Sequence, residues 1–260
     1  MPPAGDPNAA EALVTFDNVG KRYGDNNAVL EGIDLRVHEG EFVGLIGPSG
    51  CGKSTTLKLI SGLVAVTAGT LTVDGMNPVD ARAELAFVFQ DATLLPWLTV
   101  RKNIELPMML KGIDPDERRS TSDRLLELVR LGHVTDNYPR QLSGGMKMRT
   151  SIARALSLSP RIMLLDEPFG ALDEMTRDRL NEDLLQIRGE EQWTAFFVTH
   201  SVTEAVFLCN RIVVLSAYPG RIRRIVEVPF DYPREPALRD SIEFYNVVCD
   251  ISHELRGIQV

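Results

Sequence analysis

Between residues 13 and 46 apolar and polar positions form a β pattern. The runs 13–19, 29–37 and 42–47 predict three strands, because a period of two puts every second side chain on one face. Gly40 separates the last two runs and Gly47 closes the third. A helix is predicted over roughly 52–61, stopped near Gly62, with short strands at 70–73 and 85–89. From Asp91 to Pro160 the pattern turns helical. Asp114-Pro115-Asp116-Glu117 carries the marks of a helix start, with an Asp cap, Pro at the first position and Glu at the third. Leu125, Leu128 and Val129 then supply an apolar face before Gly132.

Residues 162–165 and 195–198 are almost continuously apolar, the form of parallel strands covered on both faces. A helix over about 172–188 joins them into a βαβ unit. Residues 212–215 and 222–228 read as closing strands. After Pro233 a final helix is predicted, with Leu238, Ile242, Tyr245, Val248 and Leu255 near helical spacing. The pattern is that of an α/β core with β structure over 13–46 and an inserted helical portion at about 91–160. Residues 1–12 read as a flexible leader, and 231–260 as a helical tail. No internal repeat or low-complexity segment appears.

Composition narrows the setting. The 260 residues are 44% hydrophobic and 25% charged, ordinary values for a globular chain. No run approaches the ~18 apolar residues of a membrane span, and the opening residues lack the basic start and apolar stretch of a signal peptide. A cytoplasmic protein is expected. The net charge of -8 argues against a nucleic-acid partner or direct binding to anionic lipid, so any membrane attachment must come through another protein. Cys51, Cys209 and Cys249 are widely spaced and odd in number, which points away from a disulfide framework or zinc site.

Gly47-Pro48-Ser49-Gly50-Cys51-Gly52-Lys53-Ser54 matches the G-x-x-x-x-G-K-[ST] phosphate loop in full, between a strand and a helix. Glycines let backbone N–H groups turn inward onto phosphate, and the following helix adds a positive end. Lys53 is placed for the β- and γ-phosphates, Ser54 for Mg²⁺, and Thr55 follows among the ATP-binding residues. The strand at 162–165 delivers Asp166 and Glu167 to the edge of the sheet where open α/β folds bind ligands. There Asp166 can hold Mg²⁺ and Glu167 can orient and deprotonate a water. These motifs alone specify an ATPase or GTPase. Ser143 can cap a helix running to about Leu158, and Gly144 and Gly145 expose its first N–H groups, a second anion site that a partner's nucleotide could use.

Leu142-Ser143-Gly144-Gly145-Met146 resembles LSGGQ, the signature of the ABC ATPase family, with Met146 in place of the usual Gln and Met148 where a polar residue is frequent. The resemblance spans Tyr23 to His200 in family order. It implies an α/β fold with a P-loop NTPase core of ABC type over 13–230, carrying an N-terminal antiparallel β subdomain and an inserted helical subdomain, together with a homodimer and ATP hydrolysis with Mg²⁺. It also implies roles for single residues. Tyr23 would stack on adenine, Gln90 would reach the Mg²⁺ and the attacking water, and His200 would contact the γ-phosphate. Ser143, Gly144 and Gly145 would close over ATP held by the second copy, with Asp173 in the dimer interface.

A single cassette without a membrane portion resembles a bacterial importer subunit. Such a subunit sits on the cytoplasmic face of the membrane through integral permease subunits, and a periplasmic or surface solute-binding protein serves it indirectly. Leu94-Leu95-Pro96-Trp97, the stretch 215–222 and Met146 resemble the nitrate/sulfonate/taurine branch. Related branches carry pyrimidine precursors, and a permease-free assembly ATPase is a further reading. The 60 residues after His200 are too few for an appended regulatory domain.

Overall fold

The computed structural model describes residues 12–24, 28–191 and 193–258; the leader expected over 1–12 lies almost wholly outside them. Two sheets form. The first is antiparallel, in the order β2-β1-β4, from β1 (Val14–Arg22), β2 (Ala28–Val37) and β4 (Ala68–Val73). The alternation in β2 buries Leu30, Ile33, Leu35 and Val37. In β1 it breaks at Asn18, whose positive φ of 48° accompanies a shift of register between Phe16 and Val19.

The second sheet contains β3 (Phe42–Ile46), β5 (Leu85–Val88), β6 (Ile162–Asp166), β7 (Thr194–Val198), β8 (Arg211–Leu215) and β9 (Ile222–Glu227). Its order is β5-β6-β7-β3-β8-β9, parallel except for β9. The expectation of an α/β fold with an antiparallel β portion holds. The buried strands still alternate between two cores. Phe42 and Ile46 face the helices together with Met163, Leu165, Ala195 and Phe197. Val43 and Leu45 face the antiparallel sheet and α1 (Lys53–Ile60) together with Leu164, Phe196 and Val198. The result is a layered sandwich. Each buried Leu, Val or Phe side chain contributes about 1.5–3 kcal/mol relative to exposure.

Between β5 and β6 lie α2 (Val100–Leu110), α3 (Pro115–Leu128) and α4 (Gly144–Leu156). Asp114 caps α3, accepting from Asp116 N–H at 2.9 Å, with Pro115 in its first turn. Leu126 joins Leu125 and Val129 in the core, while Leu128 is only partly covered. Met148 is buried and Met146 packs partly against the same core. Apolar side chains therefore suit both positions where the signature departs from its usual form.

α5 (Glu174–Glu191) joins β6 to β7, and a short α6 (Val202–Leu208), which the pattern did not predict, joins β7 to β8. The tail forms α7 (Ile242–Ile258), and of the predicted apolar positions Leu238, Val248 and Leu255 pack against the core while two do not. Phe244 and Ile251 are the buried residues, whereas Ile242 and Tyr245 are exposed. Arg234 fastens the tail to α6. Its buried guanidinium donates to the carbonyls of Val206, Phe207 and Cys209 at 2.9–3.0 Å and to Phe230 O, so the open C-terminal end of α6 is satisfied. Among the described residues no helix is long and apolar enough to cross a membrane.

Candidate functional site: a phosphate cleft at the carboxyl edge of the parallel sheet

Because β3, β5, β6 and β7 run parallel, the segments after their C-terminal ends gather along one edge. β3 feeds the loop 47–54, β6 ends at Asp166, β7 leads to His200, and Gln90 lies two residues beyond β5. A cavity of about 210 Å³ opens there. Its lining includes Val29, Gly50, Lys53, Ser54, Glu167 and His200, with Ser49, Gly52 and Thr55.

The loop turns into α1 at Gly52, whose φ of 98° is left-handed, and a Cβ there would fall 2.5 Å from Leu30 Cδ2. Only glycine fits both conditions. Lys53 is buried and folds back over the loop, donating to Gly47 O at 2.8 Å and Pro48 O at 3.1 Å. Cys51 is buried in the loop, and burial pushes its thiol pKa up, which keeps it protonated and unreactive. Ser54 Oγ donates to Asp166 Oδ1 at 2.9 Å, joining the first turn of α1 to the end of β6.

Glu167 adopts a left-handed backbone (φ 48°), which costs a non-glycine residue ~1–2 kcal/mol. Two hydrogen bonds hold it there. Its N–H donates to Val198 O at 3.0 Å, and its carbonyl accepts from Gly170 N–H at 3.1 Å. The carboxylate Oε1 lies 2.6 Å from His200 Nε2. The other oxygen and the Gln90 amide nitrogen both flank Gly170, each within 4 Å of the point a Cβ would occupy.

The His200 turn has a support that the sequence reading missed. Ser201 Oγ caps α6 by accepting from Glu204 N–H at 3.2 Å, while Ser201 N–H donates to Thr199 Oγ1 at 3.0 Å. Thr199 Oγ1 in turn donates to the buried Glu204 carboxylate, which Arg177 approaches at 3.6 Å. Burial raises the Glu204 pKa against the opposing effects of Thr199 and Arg177. The Ser-x-x-Glu spacing of a helix start was the available signal.

The stretch 215–222 was also read too narrowly, as a mark of one branch. It backs the phosphate loop. Tyr218 Oη donates to Ser49 O at 3.4 Å, and a Cβ on Gly220 would fall 2.0 Å from Cys51 O.

Some of the expected residues lie elsewhere. Ser143 caps α4, accepting from Met146 N–H at 3.3 Å. Gly144 and Gly145 approach Leu172 and Thr176, and none of the three lines the cleft of its own chain. Asp173 caps the start of α5 by accepting from Thr176 N–H at 3.0 Å, and this bond lowers its pKa. Tyr23 is 41% exposed beside the first sheet, with the Lys21 ammonium 4.8 Å from its ring centre.

The model of the ABC transporter family matches residues 30–170. An ABC transporter ATP-binding protein of Methanocaldococcus jannaschii is 48% identical over 221 residues, covering 85% of this chain and 82% of the relative. The nitrate import ATP-binding protein NrtD of Synechocystis is 42% identical over 245 residues, covering 92% and 91%. The bicarbonate transport ATP-binding protein CmpC of Synechococcus elongatus is 46% identical over 230 residues, covering 86% of this chain but only 35% of the relative. The dimeric structure of the ATP-binding cassette MJ0796 bound to ADP and Pi matches with a TM-score of 0.73 and 33% identity, over 84% of this chain and 100% of that one. The chain belongs to the ABC transporter family, as an ATP-binding subunit that hydrolyses ATP.

Proposed function

We propose that two copies of this chain energise an importer for a small anion such as nitrate, taurine or an alkanesulfonate. One observation carries the two-copy reading. Within a single chain the cleft of the phosphate loop contains no residue of 143–145, although Ser143 opens a 13-residue helix whose N-terminus can bind phosphate. A second copy supplies that helix end, and each ATP lies between one chain's loop and the other chain's Ser143, Gly144 and Gly145. The dimeric neighbour bound to ADP and Pi supports this arrangement.

In this mechanism the loop from Gly47 to Ser54 wraps the phosphates, with Thr55 behind it. Lys53 moves from the carbonyls of Gly47 and Pro48 to the β- and γ-phosphates. Tyr23 stacks on adenine. Ser54 Oγ and Asp166 Oδ1, 2.9 Å apart, are hard oxygen donors of the kind Mg²⁺ prefers, and the Gln90 side-chain carbonyl adds a third. Bound there, Mg²⁺ neutralises phosphate charge. Glu167 accepts a proton as the water oxygen attacks the γ-phosphorus and ADP departs, while His200 holds Oε1. Asp173 lies in the interface between the copies.

Trp97, 69% exposed after the segment of Gln90, belongs to the face that meets the permease. The permease holds the subunit at the cytoplasmic side of the membrane, and a solute-binding protein delivers cargo from the other side. The names of the nitrate and bicarbonate relatives support a small anion. Deleting the gene should impair growth and uptake when nitrate, taurine or another sulfonate is the sole nitrogen or sulfur source. Normal growth and uptake on all of them would sink the anion reading and leave the ATPase untouched.

A further inference from the structure

Three strong hydrogen bonds join two distant stretches of the chain. Arg154, near the C-terminal end of α4, donates from Nη1 to Thr93 O and from Nη2 to Ala92 O and Thr93 Oγ1, all at 3.0 Å. These acceptors belong to the segment that leaves Gln90. Thr93 has a left-handed backbone (φ 47°), which turns both of its oxygens to the guanidinium. The next residues are fixed as well. Asn103 of α2 is fully buried, accepts from Leu95 N–H at 2.8 Å, and donates to the carbonyls of Leu95, Leu98 and Thr99 at 3.0–3.2 Å. The loop 92–99, which carries Trp97, is thus fastened to α4 at one end and to α2 at the other.

Gln90 and Asp91 fall just before this fastened loop and just after β5, so they join the sheet to the helical portion. The other end of α4 is Ser143. Arg154 lies eleven residue steps along the helix from it, a rigid span of roughly 16 Å at ~1.5 Å per residue. Any displacement of Ser143 that carries α4 as a body therefore reaches Ala92 and Thr93 through Arg154, and Gln90 lies two residues away.

We infer that Arg154 is a positioning residue for hydrolysis: it ties the segment behind Gln90 to the helix of Ser143, so that closure of Ser143 on the second copy's nucleotide sets Gln90 in its own site. The inference rests on the roles proposed above for Gln90 and Ser143. A guanidinium suits the task because its planar fork reaches two carbonyls and a hydroxyl together, which an ammonium cannot.

The test is a double-mutant cycle of Arg154→Ala and Gln90→Ala on the full chain, reading kcat and KM for ATP hydrolysis and the Kd of a fluorescent ATP analogue. Arg154→Ala should lower kcat at least tenfold and change Kd less than threefold. In the Gln90→Ala background it should lower kcat less than twofold further, because a residue acting through Gln90 has nothing left to act on. Arg154→Lys should recover part of the loss.

An equal loss in both backgrounds, or a loss carried by Kd, would make Arg154 a brace of the fold and overturn the inference. If Gln90→Ala leaves kcat unchanged, the role of Gln90 falls first; a tenfold loss from Arg154→Ala then shows that it acts by another route, which also overturns the tether. Should Arg154→Ala not fold, Arg154→Lys runs through the same cycle. A smaller loss of kcat is expected and must vanish in the Gln90→Ala background; a loss that persists there or is carried by Kd overturns the inference.

Discussion

His200 Nε2 lies 2.6 Å from Glu167 Oε1, bringing the turn after β7 against the end of β6. The contact occupies one carboxylate oxygen and leaves the other on the side of Gly170 and Gln90. In the proposed mechanism that free oxygen takes the proton of the water, and the imidazole would fix its aim.

Glu167→Gln should retain ATP binding and lose roughly 10²–10⁴ in hydrolysis, the range for removal of a general base. His200→Ala should lose on the order of 10–100-fold, since a hydrogen bond to a charged group is worth ~1.5–3 kcal/mol. The double variant should be little worse than Glu167→Gln alone. Steady-state rates beside nucleotide-binding measurements decide this, and near-normal turnover of Glu167→Gln would remove the carboxylate from its role.

Tyr23→Ala should weaken ATP binding by ~1–3 kcal/mol, the range for a base stacked on an aromatic ring. Tripolyphosphate has no base, so its affinity should change much less. Calorimetric titration with both ligands makes the comparison, and equal losses would mean that Tyr23 only completes the edge of the first sheet.

The buried Glu204 gives a dependence on pH. Its native pKa is raised above the ordinary 4.5, chiefly by burial. The native state therefore holds this proton more tightly than the unfolded chain, and the associated stability is present below 4.5 and lost as pH rises through the raised value. Glu204→Gln cannot titrate there. The difference in Tm should move in favour of the variant as pH increases from 4.5, with other titrations cancelling between the two proteins. Parallel melting curves across the pH range would expose a constant difference, which would contradict the assignment.

The shared site can be tested by complementation. Lys53→Ala and Ser143→Arg should each be nearly inactive as homodimers. If each site combines one chain's loop with the other chain's Ser143, a mixed dimer contains one doubly damaged site and one intact site. Mixing should then restore some hydrolysis, or at least vanadate-dependent trapping of no more than one nucleotide per mixed dimer. Confirmed mixed dimers that trap none would refute the shared site.

The sequence by itself determined what depends on neighbours along the chain. A glycine-rich turn between an apolar strand and a helix, an apolar strand ending in Asp166 and Glu167, and a serine ahead of two glycines each form from contiguous residues. Local backbone geometry was enough to read them. The class of fold was legible for the same reason, since buried parallel strands leave continuous apolar runs.

Helix α6 stayed hidden because Glu204 to Leu208 are all buried, and a short helix covered all round has no amphipathic period to detect. In α7 two stripes fit helical spacing, and only packing against Phe230 and the α6 region decided that Phe244 and Ile251 turn inward instead of Ile242 and Tyr245.

The assembly of the site was likewise a tertiary decision. The insertion of β3 between β7 and β8, with β6 beyond β7, brings Lys53, Asp166, Glu167 and His200 to one edge. The same sheet order lets Tyr218 rest on the phosphate loop and Arg154 reach back about sixty residues to Thr93. Strand order and loop-to-loop contact arise from the simultaneous packing of both faces of the sheet, and no local pattern in the chain encodes that.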